Sequence, residues 1–345
     1  MFRFTLAFLV LLASPALFAA NVASPPSGQL TLQGIFSKPT EAAPFPATLS
    51  EDVVTFPSGK LTLHGVLYRP EGDGPFPAVL YNHGSAPGMY SKEAFDALGP
   101  VFASRGWVLF APYRRGQGLS ASSGPYIGDE IAAAKKQGER ADVATMIRLL
   151  ETDHLNDQLA GLAWLRKQHF IQRKRIAVAG NSFGGIEAVL GVERAPYCAA
   201  IDAAGGAESW KLAQPELQGL MTHAVRHARA PVFFFQAEND YDLSPSLILA
   251  AAMKDAGKAY ELKIYPPFGD SVADGHAFGY FGSSVWADDV FHFLRDRCKK
   301  WLRLYKTSHV ALVFGAQVRW LSPSAPRIIQ NLSELWRKRI PQNQK

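Results

Sequence analysis

The pentapeptide Gly180-Asn181-Ser182-Phe183-Gly184 is the stretch that decides the fold of this chain. It follows an apolar, strand-like run at residues 175–179 and precedes a stretch of small residues that favours a helix. A G-x-S-x-G motif between a strand and a helix predicts a nucleophile elbow, which holds a serine hydroxyl at the end of a sheet. The flanking glycines allow the close backbone approach that so sharp a turn requires. Ser182 is therefore the candidate nucleophile.

Strand-like and helix-like segments alternate around this motif. Residues 53–68 predict a β-hairpin, because two β-like runs flank a Pro-Ser-Gly-Lys turn. Short apolar strands, such as 76–81 and 231–236, are separated by helical segments. This alternation predicts an α/β fold with a mostly parallel central sheet flanked by helices. Residues 128–169 are longer than one connection needs, so the part at 131–150 predicts a second helix or a small helical cap over the site.

Composition and the N-terminal residues predict how the chain is divided. The hydrophobic fraction of 48% and the charged fraction of 19% are typical of a globular protein. Residues 1–20 combine Arg3, an apolar run and a small-residue stretch, which predicts a signal peptide and a periplasmic or secreted protein. An uncleaved N-terminal anchor is the alternative. Residues 21–50 predict a linker rich in Pro, Ala and Ser, and residues 51–298 predict the folded domain.

The C-terminal extension, residues 299–345, concentrates the positive charge of the chain. It holds ten Lys or Arg residues and one acidic residue, Glu334, whereas the whole chain has a net charge of +6. We expect a solvated or loosely docked extension, although a basic segment could also make weak contact with an anionic membrane surface. No nucleic-acid partner is predicted.

The cysteines and paired histidines give no clear sign of a metal site. Cys198 and Cys298 are the two cysteines of the chain, and the sequence leaves open whether they form a disulfide. His223 and His227 lie four residues apart on a predicted helix but lack the glutamate of the zinc protease motif. We interpret them as a surface pair. Neither a metal nor an organic cofactor is expected.

A serine hydroxyl needs a base within hydrogen-bonding distance, and the base needs an acid that orients it. His276, which follows the last predicted strand in a Gly-rich loop, is the candidate base. Asp240, in the loop after the strand at 231–236, is the preferred acid, with Glu238 and Asp242 as rivals. The competing interpretation of these acids is a helix N-cap, because a helix begins near Ser244.

The loop after the strand at 76–81 supplies the remaining candidate residues. An oxyanion hole needs two N–H donors aimed at the developing negative charge. The backbone N–H groups of Phe183 and Ser85 are the predicted donors, and His83 is interpreted as a structural brace of this loop. Tyr113 and Arg114 follow another buried strand and are candidates for substrate binding, for instance to a substrate carboxylate. Pairing of an arginine here with an acid such as Asp129 is the alternative.

Taken together, these segments resemble the α/β-hydrolase superfamily, and within it the dienelactone hydrolase and prolyl-oligopeptidase-like branch. The resemblance covers about residues 51–297 and is carried by five segments in order: Tyr81-Asn82-His83-Gly84-Ser85, Pro112-Tyr113-Arg114-Arg115-Gly116, the elbow with Gly185, Ala237-Glu238-Asn239-Asp240 and Asp274-Gly275-His276. The dienelactone hydrolases proper carry a cysteine where Ser182 stands here, which favours a serine esterase. No β-propeller precedes the domain in this sequence, so cleavage of long peptides is not expected.

The resemblance implies hydrolysis of small-molecule carboxylic esters by Ser182, His276 and Asp240 through an acyl-enzyme. Cleavage of amides or short peptides is the second possibility. A catalytically silent binding protein that kept the fold is the third. Reaction with a serine-directed probe would separate the first two from the last.

Overall fold

A mixed sheet of eight strands forms the centre of the protein, as the alternation of segments predicts. The computed structural model describes residues 50–85 and 93–299 and, as backbone only, residues 311–314 and 317–320. The strands of the central sheet are β1 (Ser50–Ser58), β2 (Leu61–Arg69), β3 (Phe76–Asn82), β4 (Val108–Pro112), β5 (Ile171–Asn181), β6 (Ala200–Ala203), β7 (Val232–Ala237) and β8 (Tyr260–Tyr265).

The strand order of this sheet is β1-β2-β4-β3-β5-β6-β7-β8. The first two strands form the predicted hairpin, and β2 also runs antiparallel to β4. The remaining neighbours, from β4 through β3 to β8, are all parallel. The carboxyl ends of β3, β5, β7 and β8 therefore meet at one edge, where ligand sites form in open α/β sheets.

Helices connect the parallel strands and cover both faces of the sheet. Three of them fill the long segment at 128–169 in which the sequence predicts a second helix or a cap. The helices of the described residues, in chain order, are α1 (Glu93–Ala103), a 3₁₀ helix (Gly118–Ser123), α2 (Ile127–Lys135), α3 (Ala141–Glu151), α4 (Asp153–Leu165), α5 (Phe183–Arg194), α6 (Glu216–Arg226), α7 (Ser244–Asp255), α8 (Val272–His276), α9 (Phe278–Phe281) and α10 (Ser283–Arg297).

The core lies in two layers on opposite faces of the sheet. Adjacent residues of one strand belong to different layers, because side chains alternate along a strand. On β3, Val79 packs with the layer of α1 and α10, and Leu80 packs with the layer of α3 to α7. Phe233 and Phe234 of β7 divide in the same way. Burial on both faces explains why the parallel strands are continuous apolar runs rather than alternating ones.

A disulfide joins Cys198 to Cys298, which the sequence alone left open. The bond closes a loop with a sequence separation of 100 residues and ties the end of α10 to the segment before β6. Nearby, Arg175 Nε donates a hydrogen bond to the carbonyl oxygen of Cys298 at 2.6 Å. Closing so long a loop restricts the unfolded chain, and removal of a native disulfide typically costs about 2–5 kcal/mol.

The predicted signal peptide and most of the predicted linker, residues 1–49, lie outside the described residues. Most of the C-terminal extension also lies outside them. Its described part is a two-stranded antiparallel pair, β9 (Ala311–Phe314) and β10 (Gln317–Trp320), which forms a sheet of its own. Within the described residues, no helix is both long and apolar enough to span a bilayer.

Candidate active site

Ser182 occupies the sharp turn that the G-x-S-x-G motif predicts. It separates the end of β5 from the first residue of α5, and its φ of 59° and ψ of −123° are unusual for a residue with a side chain. Holding a residue there costs on the order of 1–3 kcal/mol. A Cβ atom at Gly180 would lie 2.1 Å from the carbonyl oxygen of Gly184, and one at Gly184 would lie 2.0 Å from that of Asn82. Both glycines are therefore required by backbone contact.

The structure brings Ser182, His276 and Asp240 into one hydrogen-bonded series. The Nε2 atom of His276 lies 2.8 Å from Ser182 Oγ. Its Nδ1 atom lies 2.8 Å from Asp240 Oδ1. Because a carboxylate only accepts hydrogen bonds, the imidazole proton belongs on Nδ1 and leaves Nε2 to accept from the serine hydroxyl. This is the geometry of an activated serine nucleophile.

The rival acids of the same loop have other surroundings. The backbone N–H of Ser244, the first residue of α7, donates to Asp242 Oδ1 at 2.9 Å, so Asp242 satisfies an N–H group at the start of that helix. Glu238 is exposed. Asp240 is buried, and its Oδ2 accepts a hydrogen bond from Gln236 Nε2 at 2.7 Å. The helix-cap interpretation therefore fits Asp242, whereas Asp240 is the acid held beside His276.

His276 ends a short helix, where the sequence predicts a Gly-rich loop. Ser271 and Asp274 form a capping box at the start of α8, with Ser271 Oγ accepting from the backbone N–H of Asp274. The prediction of a loop is wrong here because the capping box stabilises a short helix although Gly275 disfavours one locally. Asn181 Nδ2 donates to the carbonyl oxygen of His276 at 3.2 Å. The base is thus fixed by its backbone to the residue that precedes Ser182.

Electrostatics favour a proton on His276. Burial alone would lower the pKa of this imidazole, but the hydrogen bond and the charge of Asp240 outweigh burial and raise it above its usual value. Glu208 adds to the rise, with its Oε2 atom 3.6 Å from His276 Nε2. A base with a raised pKa holds the proton of the serine more readily during attack.

The turn after β3 packs directly against Ser182. A Cβ atom at Gly84 would lie 3.6 Å from the Cβ of Ser182. The backbone N–H of Gly84 donates to the hydroxyl of Tyr280 at 2.6 Å, so it is already engaged. Ser85 and Phe183 line the same pocket as Ser182. Their N–H groups remain the candidate oxyanion donors, as the sequence predicts.

The structure corrects the expectation that Arg114 binds substrate. The side chain is only 4% exposed. Its Nη1 atom donates to Glu187 Oε2 and to the carbonyl oxygen of His83, each at 2.6 Å, and Nη2 donates to the carbonyl oxygen of Gly84 at 2.7 Å. The guanidinium also stacks 4.9 Å from the ring centre of Phe183. Arg114 therefore joins the turn after β3 to α5 and is not available to a substrate.

Tyr113 is likewise not a binding residue. It is fully buried, and its ring packs against the rings of Phe95 and His83, with centres 5.4 and 5.7 Å away. The neighbouring Arg115 pairs with Asp157 at 2.8 Å, rather than with the acid that the alternative interpretation suggested. Both arginines of this loop thus have structural partners. The physical reason is that the loop turns back under the turn after β3 instead of lining the open pocket.

Two residues with buried side chains, Glu187 and Tyr280, support the site but are not among the residues predicted from the sequence. Glu187, the partner of Arg114, is the one charged side chain in the buried stretch of α5 from Phe183 to Val192, and this interruption was a readable signal. Burial raises the pKa of the Glu187 carboxyl to about 7, and the charge of Arg114 limits that rise. Tyr280 lies on α9, 196 residues from the Gly84 N–H that it accepts, and no local pattern marks it.

A small pocket opens beside Ser182, with a volume of about 110 Å³. Its walls are mostly apolar and include Ile131 of α2 and Met146 of α3. These two helices therefore take part in enclosing the site, as a small cap would. Glu208 is the charged residue among the described lining residues, and its side chain is 54% exposed.

One known protein family and several solved structures are similar to this chain. The model of the dienelactone hydrolase family matches residues 63–284. No curated protein sequence gives a significant match. The chain spans 43% of the acylaminoacyl peptidase of Pyrococcus horikoshii, with 74% of this chain covered, 20% identity and a TM-score of 0.54.

Two smaller proteins are similar over nearly their whole length. An esterase of Pyrococcus furiosus has 16% identity and a TM-score of 0.52, and the alignment covers 78% of this chain and 94% of the esterase. A proposed dienelactone hydrolase of Klebsiella pneumoniae has 15% identity and a TM-score of 0.53, with 74% of this chain and all of that chain covered. At such identities the likeness concerns the fold.

Proposed function

The chain belongs to the dienelactone hydrolase family, and from this premise we propose that it is a serine hydrolase that cleaves carboxylic esters through an acyl-enzyme. The observation that carries the proposal is the continuous series from Ser182 Oγ through His276 to Asp240, with 2.8 Å at each step. Family membership supports hydrolysis in general. The serine, in place of the cysteine of the dienelactone hydrolases proper, favours an ordinary ester substrate.

In the first step, Ser182 Oγ attacks the ester carbonyl carbon while His276 Nε2 takes the hydroxyl proton. Asp240 holds the ring in the required tautomer and stabilises the imidazolium that forms. The carbonyl oxygen becomes negatively charged and accepts hydrogen bonds from the N–H groups of Ser85 and Phe183. Each such donor contributes about 3–4 kcal/mol to lowering the barrier. The imidazolium then gives its proton to the leaving alcohol, and the acyl group stays on the serine.

Water completes the reaction by the same route. His276 takes a proton from the water molecule as it attacks the acyl carbon, and the proton then passes to Ser182 Oγ as the carboxylic acid leaves. The apolar pocket beside Ser182 suits the acyl group or a small leaving group.

A fluorophosphonate probe tests the proposal, because it reacts with serine hydroxyls that a base has activated. We expect labelling of the wild-type protein and none of the Ser182→Ala variant. The matched control is Ser284→Ala, which changes an exposed serine of α10 and should label like the wild type. A correctly folded wild-type protein that remains unlabelled would favour the silent binding protein instead.

Glu208 gives a specific reason to retain amide cleavage as a second candidate. Its carboxylate lies at the edge of the pocket and close to His276, without a positive side chain among the described lining residues. A negative charge there attracts an ammonium group, such as the free amino end of a short peptide. Comparing p-nitrophenyl esters with aminoacyl anilides separates the two candidates. Faster turnover of the anilides would replace the ester proposal.

We also propose that the protein is exported. The N-terminal sequence pattern supports this, and so does the disulfide between Cys198 and Cys298, since such bonds persist in oxidising compartments. Expression of the full chain in a bacterium with a periplasm, followed by fractionation and mass measurement, tests it. A protein that stays in the cytoplasm with its N-terminal residues intact would exclude export.

A further inference from the structure

A second cluster of side chains that can bind an ion lies at the C-terminal end of α5, whereas Ser182 precedes its N-terminal end. It consists of Glu193, near the C-terminal end of α5, with His223 of α6 and His227, which follows α6. One ligand atom from each residue lies within 4.8 Å of the others. His223 Nε2 is 3.3 Å from Glu193 Oε1. The two imidazole rings are in contact, with centres 4.1 Å apart and planes tilted by 31°.

The hydrogen bonding of this cluster orients its ring nitrogens. His227 Nδ1 lies 2.8 Å from the carbonyl oxygen of His223, so its N–H donates to that oxygen and Nε2 keeps a free lone pair. Metal-binding histidines are commonly held in this way, with one ring nitrogen donating to a backbone carbonyl and the other facing the ion. On Glu193, Oε2 lies 3.4 Å from Arg194 Nε, which leaves Oε1 facing the histidines.

We propose that Glu193, His223 and His227 form a binding site for a divalent transition metal ion such as Zn²⁺. Two imidazoles and one carboxylate are a ligand set that zinc accepts, and water completes the tetrahedral coordination. Imidazole ligands favour such ions over Mg²⁺ or Ca²⁺, which prefer oxygen. The histidines are exposed, so an ion reaches the site without opening the fold.

The position of this site indicates a structural rather than a catalytic role. Glu193 lies eleven residues after Ser182, which at 1.5 Å per residue places it about 16 Å along the axis of α5. A bound ion would therefore join the end of α5 to α6 without touching the reacting groups. The inference does not depend on the proposed function.

Calorimetric titration of the full chain with ZnCl₂ tests the proposal. The protein should carry no histidine tag and should first be treated with a chelator that is then removed. We expect one zinc ion per chain and a melting temperature that rises with zinc concentration, because a ligand that binds only the folded state stabilises it. Glu193→Gln should weaken binding at least about tenfold, and the double variant His223→Ala/His227→Ala should abolish it.

His292→Ala is the matched control. His292 is also exposed, and its Nε2 atom lies 3.3 Å from a carboxylate oxygen of Asp296. Among the described residues, however, His292 belongs to no group of three side chains that could hold an ion. We expect zinc affinity equal to that of the wild type. Fluorophosphonate labelling with and without zinc shows independently whether the ion binds at His276, because an ion there would block labelling of Ser182. Equal zinc affinity in the wild type and the double variant, or no binding to either, would overturn the proposal.

Discussion

The two sides of Ser182 are built on different physical principles. On one side, which we call the relay side, His276 and Asp240 each follow a parallel strand. One hydrogen bond joins Asp240 to His276, and another joins His276 to Ser182, which lines the pocket. On the other, which we call the brace side, Arg114 and Glu187 form a fully buried ion pair that reaches the backbone of the turn after β3. In the proposed reaction the relay side transfers a proton, whereas the brace side holds the predicted oxyanion donors in position.

This difference separates activity from stability. A change on the relay side that keeps the size of the side chain should remove chemistry and leave the fold intact, because it leaves no unpaired charge in the core. A change on the brace side should damage both, since a charge without its partner remains in the core. Measuring the free energy of unfolding beside the rate for each variant therefore tests the comparison directly.

The largest effect on activity is expected at Asp240. Asp240→Asn removes the charge that raises the pKa of His276 and favours the wrong tautomer of the ring. We expect kcat to fall by about 10⁴-fold, the size found when the acid of a serine triad is amidated. Steady-state kinetics on a p-nitrophenyl ester provides the measurement.

Glu238→Gln is the control for that experiment. It removes an exposed acid two residues away and should leave kcat unchanged. The proposed difference between the two sides would be wrong if Asp240→Asn lowered the free energy of unfolding as much as a change on the brace side does.

The largest effect on stability is expected at Glu187. Glu187→Ala leaves Arg114 buried without its carboxylate, which costs about 3–5 kcal/mol. The double variant Arg114→Met/Glu187→Leu should cost less than Glu187→Ala alone, because the raised pKa of Glu187 indicates that burying its charge is itself unfavourable. Urea unfolding of the three proteins measures this.

Activity should not recover together with stability in the double variant. The carbonyl oxygens of His83 and Gly84 lose the donors that Arg114 supplies, so the turn after β3 is no longer fixed against α5. A double variant with wild-type kcat would show that this brace contributes only to folding.

A smaller effect is expected from Tyr280→Phe. The change leaves the buried N–H of Gly84 without its acceptor, which costs about 1–3 kcal/mol. Because Gly84 adjoins Ser85, we expect kcat to fall about tenfold with little change in KM. Tyr260→Phe alters a half-buried tyrosine of β8 and serves as the control. A rise in KM alone would instead assign Tyr280 to substrate binding.

The same two sides explain what the sequence could predict. The relay side is readable because each residue follows a strand and carries a side chain typical of one role, so Ser182, His276 and Asp240 stand out locally. Arg114 was misread because an arginine beside a predicted pocket looks the same whether it faces solvent or the core. The position of Glu187, on a helix that follows β5, is what places Arg114 in the core rather than in solvent. Such long-range pairs are set by packing.

The disulfide is another long-range pair that is set by packing. Cys198 and Cys298 are separated by 100 residues, and their approach depends on how α10 packs back onto the sheet. The fold class, in contrast, follows from local patterns that repeat along the chain, so it could be predicted and is confirmed. Like the disulfide, the roles of Tyr280 and Glu208 could not be predicted, because no neighbouring residue in the sequence indicates them.

The smallest effect is expected at Glu208, and it concerns the pH dependence of the relay side. His276 must be neutral to accept the proton of Ser182, so activity falls as pH drops through the pKa of the imidazole. Asp240 and Glu208 raise that pKa, which shifts the acid limb of the rate profile to higher pH. Glu208→Gln removes one of the two charges, so the acid limb should move to lower pH while kcat on the plateau stays nearly the same. Because Glu208 is half exposed, the shift should shrink as salt is added. Profiles of kcat/KM for a neutral ester at low and high ionic strength measure both effects, and an unmoved limb would show that Asp240 alone sets the pKa.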